Sequence, residues 1–439
     1  MSSDQEITVF EFGYVSSCVK AANSKKIKVI SSKAFQYLKK QCLCDQSESR
    51  FLRLSSIEGC ESLQVNNYVG VLLTPDGTQI EILPKVSKKI QETQSSRNSL
   101  LMMLKALKTF RHLKMNNANL DQHKMPLLEV FIGQFLQSVN ELVKRGLRSD
   151  YIRREDNLTY LKGKLLIQKQ IQNNFINKHK FYIEYDEYLQ DRPINRLIHS
   201  ALKKVCGYSR SASNQKLLQE LLFVFVEIPI SSNMQQDFSR LKLDRGMDYY
   251  EVPTAWTKLI LYGLSPLTMK GGAKAFSLLF PMESVFESYV AKVLGEQLPA
   301  KYELITQSQS KSLVLHDGRK YFRLKPDLLI KNTVEEHKGK NSSVLDTKWK
   351  LIDQTKKNGS DKYGLSQSDI YQMFAYGHKY LHGEGDLYLI YPSHEDFNQP
   401  IEHSFDFNAG MRLWVVPFDI SVTVAYGERI KWPKNSSLS

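Results

Sequence analysis

LKPDLLIKNTVEEHKGKNSSVLDTKWKLI, from Leu324 to Ile352, holds two short apolar runs, each with one acidic residue inside it. Both runs read as strands, separated by a polar, lysine-rich turn. An unpaired carboxylate taken out of water is costly, so Asp327 and Asp346 need compensation. Side chains alternate across a strand, which sets Asp346 and Lys348 on one face and Leu345, Thr347, Trp349 and Leu351 on the other. Asp327 follows Pro326 at the start of its run. The spacing of 19 residues to Asp346 suits adjacent antiparallel strands that bring the two acids together.

Two carboxylates converging in a partly buried place repel each other strongly unless a cation lies between them. Mg²⁺ suits that position, because it prefers hard oxygen ligands, keeps several waters and also takes phosphate oxygens. Lys348 beside it would orient or deprotonate the attacking water, or stabilise charge on a phosphate in the transition state. The plainer alternative is a surface ion pair between Asp346 and Lys348 with Asp327 at a turn; PD…DxK alone often occurs by chance. Further features favour the metal site. Glu287, in VFESYV, sits on an amphipathic helix directly before the strands and offers a third carboxylate. Gln372 and Tyr376 lie four residues apart on one face of the next helix.

The chain has 439 residues, enough for two or three domains. Its 60 Lys+Arg against 46 Asp+Glu leave a net charge of +14, which points to a polyanionic partner, nucleic acid or an acidic membrane surface. A basic protein without such a partner is the bland alternative. The most apolar window, LLFVFVEIPI at Leu221–Ile230, is too short for a bilayer and contains Glu227. MSSDQEITVFEF lacks the basic start and apolar stretch of a signal peptide, so a cytoplasmic protein with no membrane association is expected. Five cysteines form no paired CxxC set; Cys42, Cys44 and Cys60 are a poor zinc set, and reduced thiols are expected.

The fold class expected is α+β and multidomain. Residues 1–99 read as a β-rich domain, where PDG between two β-rich runs marks a hairpin. The polar KKIQETQSSRNS, residues 88–99, reads as a linker. Residues 100–255 form a mainly helical middle region, with apolar residues at three- and four-residue steps. Residues 256–439 read as mixed α/β in the order helix, three strands, helix, two strands.

PD at Pro326–Asp327, DTK at Asp346–Lys348 and QMFAY at Gln372–Tyr376 resemble the PD-(D/E)XK nuclease core. The ordered series GVLLTPDGTQIEILPKV, DNLTYLKGKLL, YDEYLQDRPINRLI, FSLLFPMESVFESYV, KPDLLI, LDTKWK and SDIYQMFAYGHKY, from about Tyr68 to Tyr391, resembles the McrC family, the nuclease subunit of McrBC-type modification-dependent restriction systems. The resemblance implies a C-terminal PD-(D/E)XK endonuclease domain that cuts DNA with Mg²⁺. It also implies a separate McrB-like AAA+ GTPase hexamer that recognises DNA carrying 5-methylcytosine. Asp327, Asp346 and Lys348 would take the metal and catalytic roles, and Glu287 would be a further metal-linked carboxylate. Gln372 and Tyr376 would support the site or contact DNA. Contact with the GTPase ring is expected of the N-terminal domain. No GxxxxGK[ST] occurs in the sequence, which agrees with a motor on another chain.

Two other readings stay open: a PD-(D/E)XK nuclease of DNA repair or unmodified DNA, and a non-catalytic activator of an AAA+ ring. Arg153 and Arg154 read as a solvated loop pair balanced by Glu155 and Asp156. Lys270–Lys274, KGGAK, reads as a connector. Among Tyr371, Phe374, Tyr376 and Tyr380 most are expected in the core, and His378 and His382 at the surface or near DNA. KWPKNSSLS reads as a frayed tail.

Overall fold

In the computed structural model the described residues are 6–20, 24, 26–44, 51–86, 93–107, 125–241, 246–262, 276–333, 341–357 and 359–438. KGGAK at 270–274 lies outside them. The protein is a mixed α/β chain with several sheets and two compact units, Met1–Lys124 with Leu264–Ser439, and Met125–Gly263. Among the described residues no helix is long and apolar enough to cross a membrane.

The first unit opens with β1 (Glu6–Phe10), β2 (Tyr14–Ser16), β3 (Ile27–Val29), α1 (Ser32–Cys44), β4 (Leu52–Ile57), β5 (Cys60–Val65), β6 (Tyr68–Leu73) and β7 (Gln79–Leu83). One sheet runs β3-β2-β5-β4, while β1, β7 and β6 lie side by side in another. Phe35 and Leu38 of α1 pack with Phe51, Leu63 and Ile82 in the core they share. The PDG turn closes a β6–β7 hairpin, with Asp76 Oδ1 accepting from Thr74 Oγ1 at 2.6 Å and Gly77 at φ 89°. The expected linker is instead helical from Thr93, as α2 (Thr93–Leu104). The cause is Arg97, which pairs with fully buried Glu81 through Nε at 2.7 Å and Nη2 at 2.5 Å. A polar segment is thereby held against β7.

The second unit comprises α3 (Leu127–Arg145), β8 (Asp150–Leu158), β9 (Lys164–Leu165), α4 (Ile167–Asn174), β10 (Phe181–Leu189), α5 (Pro193–Cys206), α6 (Ala212–Val224), α7 (Met234–Ser239) and α8 (Glu251–Tyr262). Its helices match the helical reading. Its three-stranded sheet β8-β10-β9 does not: β8 is polar on both faces, and in β10 Glu187 interrupts the face of Phe181, Ile183, Tyr185 and Leu189 while Tyr182 and Tyr188 on the other face blur the alternation. Arg153 and Arg154 therefore sit on a strand. They pair across to β10, Arg153 with Glu184 at 3.0 Å and Arg154 with Glu187 at 3.3 Å, rather than with their loop neighbours.

The chain returns to the first unit with β11 (Phe276–Pro281), α9 (Met282–Gln297), β12 (Tyr302–Thr306), β13 (Ser312–His316), β14 (Arg319–Arg323), β15 (Leu328–Asn332), β16 (Asn341–Thr347), α10 (Gln367–Tyr380), β17 (Gly385–Pro392), β18 (Phe405–Asp406) and β19 (Met411–Phe418). β11 pairs antiparallel with β6 and completes the sheet β1-β7-β6-β11. That pairing puts the N-terminal and C-terminal thirds in one compact unit, where separate domains 1–99 and 256–439 are the sequence expectation. Gly70, at φ 129°, permits it: a Cβ there would lie 2.0 Å from the Leu278 carbonyl oxygen.

A six-stranded sheet runs β12-β15-β16-β17-β19-β18, antiparallel from β12 to β16 and parallel from β16 through β17 to β19. Parallel β16 and β17 need a crossover, and α10 supplies it, with Met373, Tyr376 and Tyr380 in the core below. The expected helix, three strands, helix, two strands are present, with three additions among the described residues: β11 before the helix, the β13–β14 hairpin and short β18. The expected frayed tail is tied down. Ser437 N–H donates to buried Asp386 Oδ2 at 2.7 Å, and Trp432 meets Tyr388 edge-on at 5.1 Å.

Candidate active site

The β15–β16 register sets the site. Leu328 is opposite Leu345, so Asp327, one residue before β15, faces the end of β16 where Asp346 lies. Asp327 Oδ2 accepts from both the backbone N–H and the hydroxyl of Thr347, each at 2.7 Å. Asp346 is 1% exposed. Lys348 leaves the strand just beyond it and turns its Nζ back to 2.7 Å from Asp346 Oδ2. This is an ion pair, since Oδ2 receives no well-directed hydrogen bond. Asp327, Asp346 and Lys348 are thus brought together.

Burial first, and then the charge of Asp327, pushes the Asp346 carboxyl up to about 7, with Lys348 working against the rise. Burial alone would lower Lys348. The Asp346 charge and the ion pair outweigh it, so the ammonium is held above its ordinary value. Gln372 Oε1 accepts from Lys348 Nζ at 3.0 Å, Gln372 Nε2 donates to Tyr376 Oη at 2.7 Å, and Tyr376 donates to the Lys325 carbonyl at 3.0 Å. The helix face at i and i+4 therefore forms a relay from the lysine to the chain entering β15. Tyr376 is raised above the usual phenol value chiefly by burial.

Glu287 stands on α9. Its carboxyl is raised by burial and by the charge of Asp327, which places it in electrostatic reach of that residue. Its Oε1 accepts from Gln307 Nε2 at 2.8 Å. The three carboxylates do not close on one another as tightly as His394, Glu395 and Asp396, whose potential ligand atoms lie within 4.8 Å.

Three residues join the site that the sequence reading does not reach. Asp369, in the first turn of α10, lies 3.7 Å from Lys348 Nζ, and its position three residues before Gln372 is the signal that points to it. Thr347 holds Asp327, and Gln307 holds Glu287. Of the α10 aromatics, Tyr376 and Tyr380 are buried as expected, whereas Tyr371 and Phe374 are exposed. His378 rests edge-on against Phe374 at 4.4 Å, and His382 lies past the helix end. Cys42 donates to the Leu52 carbonyl at 3.2 Å, while Cys60 Sγ is 2.7 Å from Cys18 Sγ, so Cys42 and Cys60 engage different partners.

Residues 63–392 match the family model of the McrBC 5-methylcytosine restriction system component. The chain belongs to this McrBC family. The matched span includes Glu287, Asp327, Asp346, Lys348, Gln372 and Tyr376. Among solved structures, the chain resembles one in the refined half-complex from a tetradecameric assembly of Thermococcus gammatolerans McrB AAA+ hexamers with bound McrC. They share 20% identity and a TM-score of 0.68 over 97% of this chain and 98% of that one. It also resembles a chain of the cryo-EM structure of the Thermococcus gammatolerans McrBC complex, at 24% identity and TM-score 0.48, over 67% of this chain and 88% of the other. No curated protein matches it. The likeness over nearly the full length of both chains shows a shared fold.

Proposed function

We propose that this chain is the Mg²⁺-dependent DNA endonuclease subunit of a modification-dependent restriction complex, with a PD-(D/E)XK core and an AAA+ GTPase partner that reads cytosine-methylated DNA. The observation that carries the reading is buried Asp346 set beside Asp327 with Lys348 ion-paired to it at 2.7 Å. Family membership and the net charge of +14 support the same reading. The similar half-complex has McrB AAA+ hexamers with bound McrC, and a partner of that kind would supply the motor.

The donor set fits Mg²⁺: the residues are hard carboxylates, and Asp346 is raised by burial and by a neighbouring acid, the strain that a bound cation relieves. Asp327, Asp346 and Glu287 would hold it. When bound, Mg²⁺ would polarise the scissile phosphate and lower the pKa of the attacking water. Lys348, kept protonated by Asp346, acts as a cation toward the phosphate oxygens as negative charge grows there. Gln372 and Asp369 keep its ammonium aimed. Water adds to phosphorus and gives up a proton to solvent, the bond to the leaving sugar oxygen breaks, and that oxygen takes up a proton from solvent.

Cytosine-methylated and unmethylated plasmids, incubated with this chain and Mg²⁺, with and without its AAA+ partner and GTP, test the whole proposal. Cleavage of methylated plasmid alone, only with partner and GTP, is the expected result. Cleavage of both plasmids without the partner would replace restriction by a stand-alone nuclease.

A further inference from the structure

β13 and β14 form a two-stranded ribbon that ends four residues before Asp327. Its strands turn at Asp317-Gly318, both at positive φ (49° and 71°), the geometry a tight hairpin needs. Beyond its base the ribbon stands free. Every position from Leu313 to Arg323 is exposed, including Leu315 at 69% and Phe322 at 73%. Register and alternation put Leu313, Leu315 and Lys320 on one face, while Phe322, at φ 54°, departs from regular strand geometry with its side chain exposed. Val314, His316, Arg319, Tyr321 and Arg323 share the other.

A two-stranded hairpin with apolar side chains on an open face is marginal in water, so its exposure signals a partner. The charge says which kind. Residues 311–325 hold five cations, Lys311, Arg319, Lys320, Arg323 and Lys325, against a single acid, Asp317; of these, Lys325 also acts electrostatically on Glu287. The base is fastened to the site helix: Tyr380 Oη donates to the carbonyls of Ser308 at 3.1 Å and Leu324 at 3.0 Å. Four residues of chain span at most about 14 Å, so Arg323 stays within one helical turn of duplex from Asp327.

We propose that this ribbon enters a groove of duplex DNA beside the scissile phosphate, with Arg319, Lys320 and Arg323 on the phosphate backbone and Leu315 and Phe322 against sugars and base edges. A two-stranded ribbon has the width the major groove admits. The inference rests on the nuclease reading of the adjacent site and adds to it the element that seats the duplex there.

The test is fluorescence anisotropy of a labelled 30-base-pair duplex with the full chain, alone and with its AAA+ partner, across a KCl series in EDTA. Arg319→Ser/Lys320→Ser/Arg323→Ser should weaken binding roughly tenfold or more at 0.1 M salt and reduce the log–log salt slope by about 2 to 3. Leu315→Ser/Phe322→Ser should weaken binding with the slope unchanged. Circular dichroism melts confirm that both variants fold. Wild-type affinity in both variants overturns the proposal, as does a wild type that binds no duplex. A dimer by light scattering that the variants dissociate also overturns it, making the ribbon a contact between copies. Cleavage is read separately with Mg²⁺, so an inactive site with an intact ribbon effect would reject the nuclease reading alone.

Discussion

Gln307 holds Glu287 and Asp327 at once: its side-chain amide donates to Glu287 Oε1 at 2.8 Å and its backbone N–H donates to the Asp327 carbonyl at 2.7 Å. It does so from φ 50°, a left-handed conformation that is uncommon outside glycine and that clusters at functional sites. One residue between β12 and β13 therefore sets the spacing of two acids from different elements. Partners of metal-binding carboxylates tune affinity by about 10- to 100-fold. Gln307→Ala should raise the Mg²⁺ concentration for half-maximal cleavage by about tenfold while the Tm moves only a few degrees. An unchanged Mg²⁺ requirement would remove Gln307 from the site.

Glu11 links the N-terminal strands to the segment just after Lys348. Its buried Oε2 accepts from the Lys85 N–H at 3.0 Å and from Trp349 Nε1 at 2.9 Å. Burial, with a smaller push from Glu283, raises its carboxyl to about 8. The folded value lies above the unfolded one, so folding favours the protonated form. Its stabilisation is complete below the ordinary carboxylate range near 4 and is lost as pH rises toward 8. Glu11→Gln keeps an oxygen acceptor without the charge. Thermal melts should show the variant gaining at least a few degrees over wild type at pH 8 and little at pH 4. Parallel Tm curves from pH 4 to 8 would refute this.

The Glu81–Arg97 pair is buried on its acidic side, with a bidentate contact at 2.7 and 2.5 Å. Removing one partner strands a charge in the core. Arg97→Ala should cost about 3–5 kcal/mol, whereas Glu81→Leu with Arg97→Met should recover most of that loss. Urea unfolding of the two variants and wild type measures the difference. A single variant as stable as the double one would contradict the pairing.

The site was legible where its signal is local. Asp327, Asp346 and Lys348 announce themselves by acids inside apolar runs and by strand alternation, and Gln372 and Tyr376 by helical spacing. Asp369 carries the same helical signal, three residues before Gln372, and is legible once Lys348 is placed. Gln307 is not, because its role depends on a left-handed turn that joins residues 20 apart in each direction. The Asp317-Gly318 turn between SLVLH and RKYFR is a local hairpin signal, although the short runs on either side of it carry no regular polar–apolar alternation. β8 escapes because it is polar on both faces, with Arg153 and Arg154 paired across to Glu184 and Glu187, and β10 because Tyr182 and Tyr188 blur its apolar alternation. The β6–β11 pairing joins residues some two hundred positions apart, beyond any local pattern.

Asp346 carries the catalytic claim, and Asp346→Asn tests it most directly. The variant keeps the shape of the side chain and removes the buried charge. Assembled with the AAA+ partner, the variant and wild type would be compared for Mg²⁺-dependent cleavage of methylated plasmid and for stimulation of GTP hydrolysis. Cleavage should fall by about a thousandfold or more, on the order of 4 kcal/mol in transition-state stabilisation, while GTPase stimulation stays at the wild-type level. If Asp346→Asn cuts as wild type does, or if wild type itself leaves DNA intact while stimulating the partner, this site is not a nuclease centre.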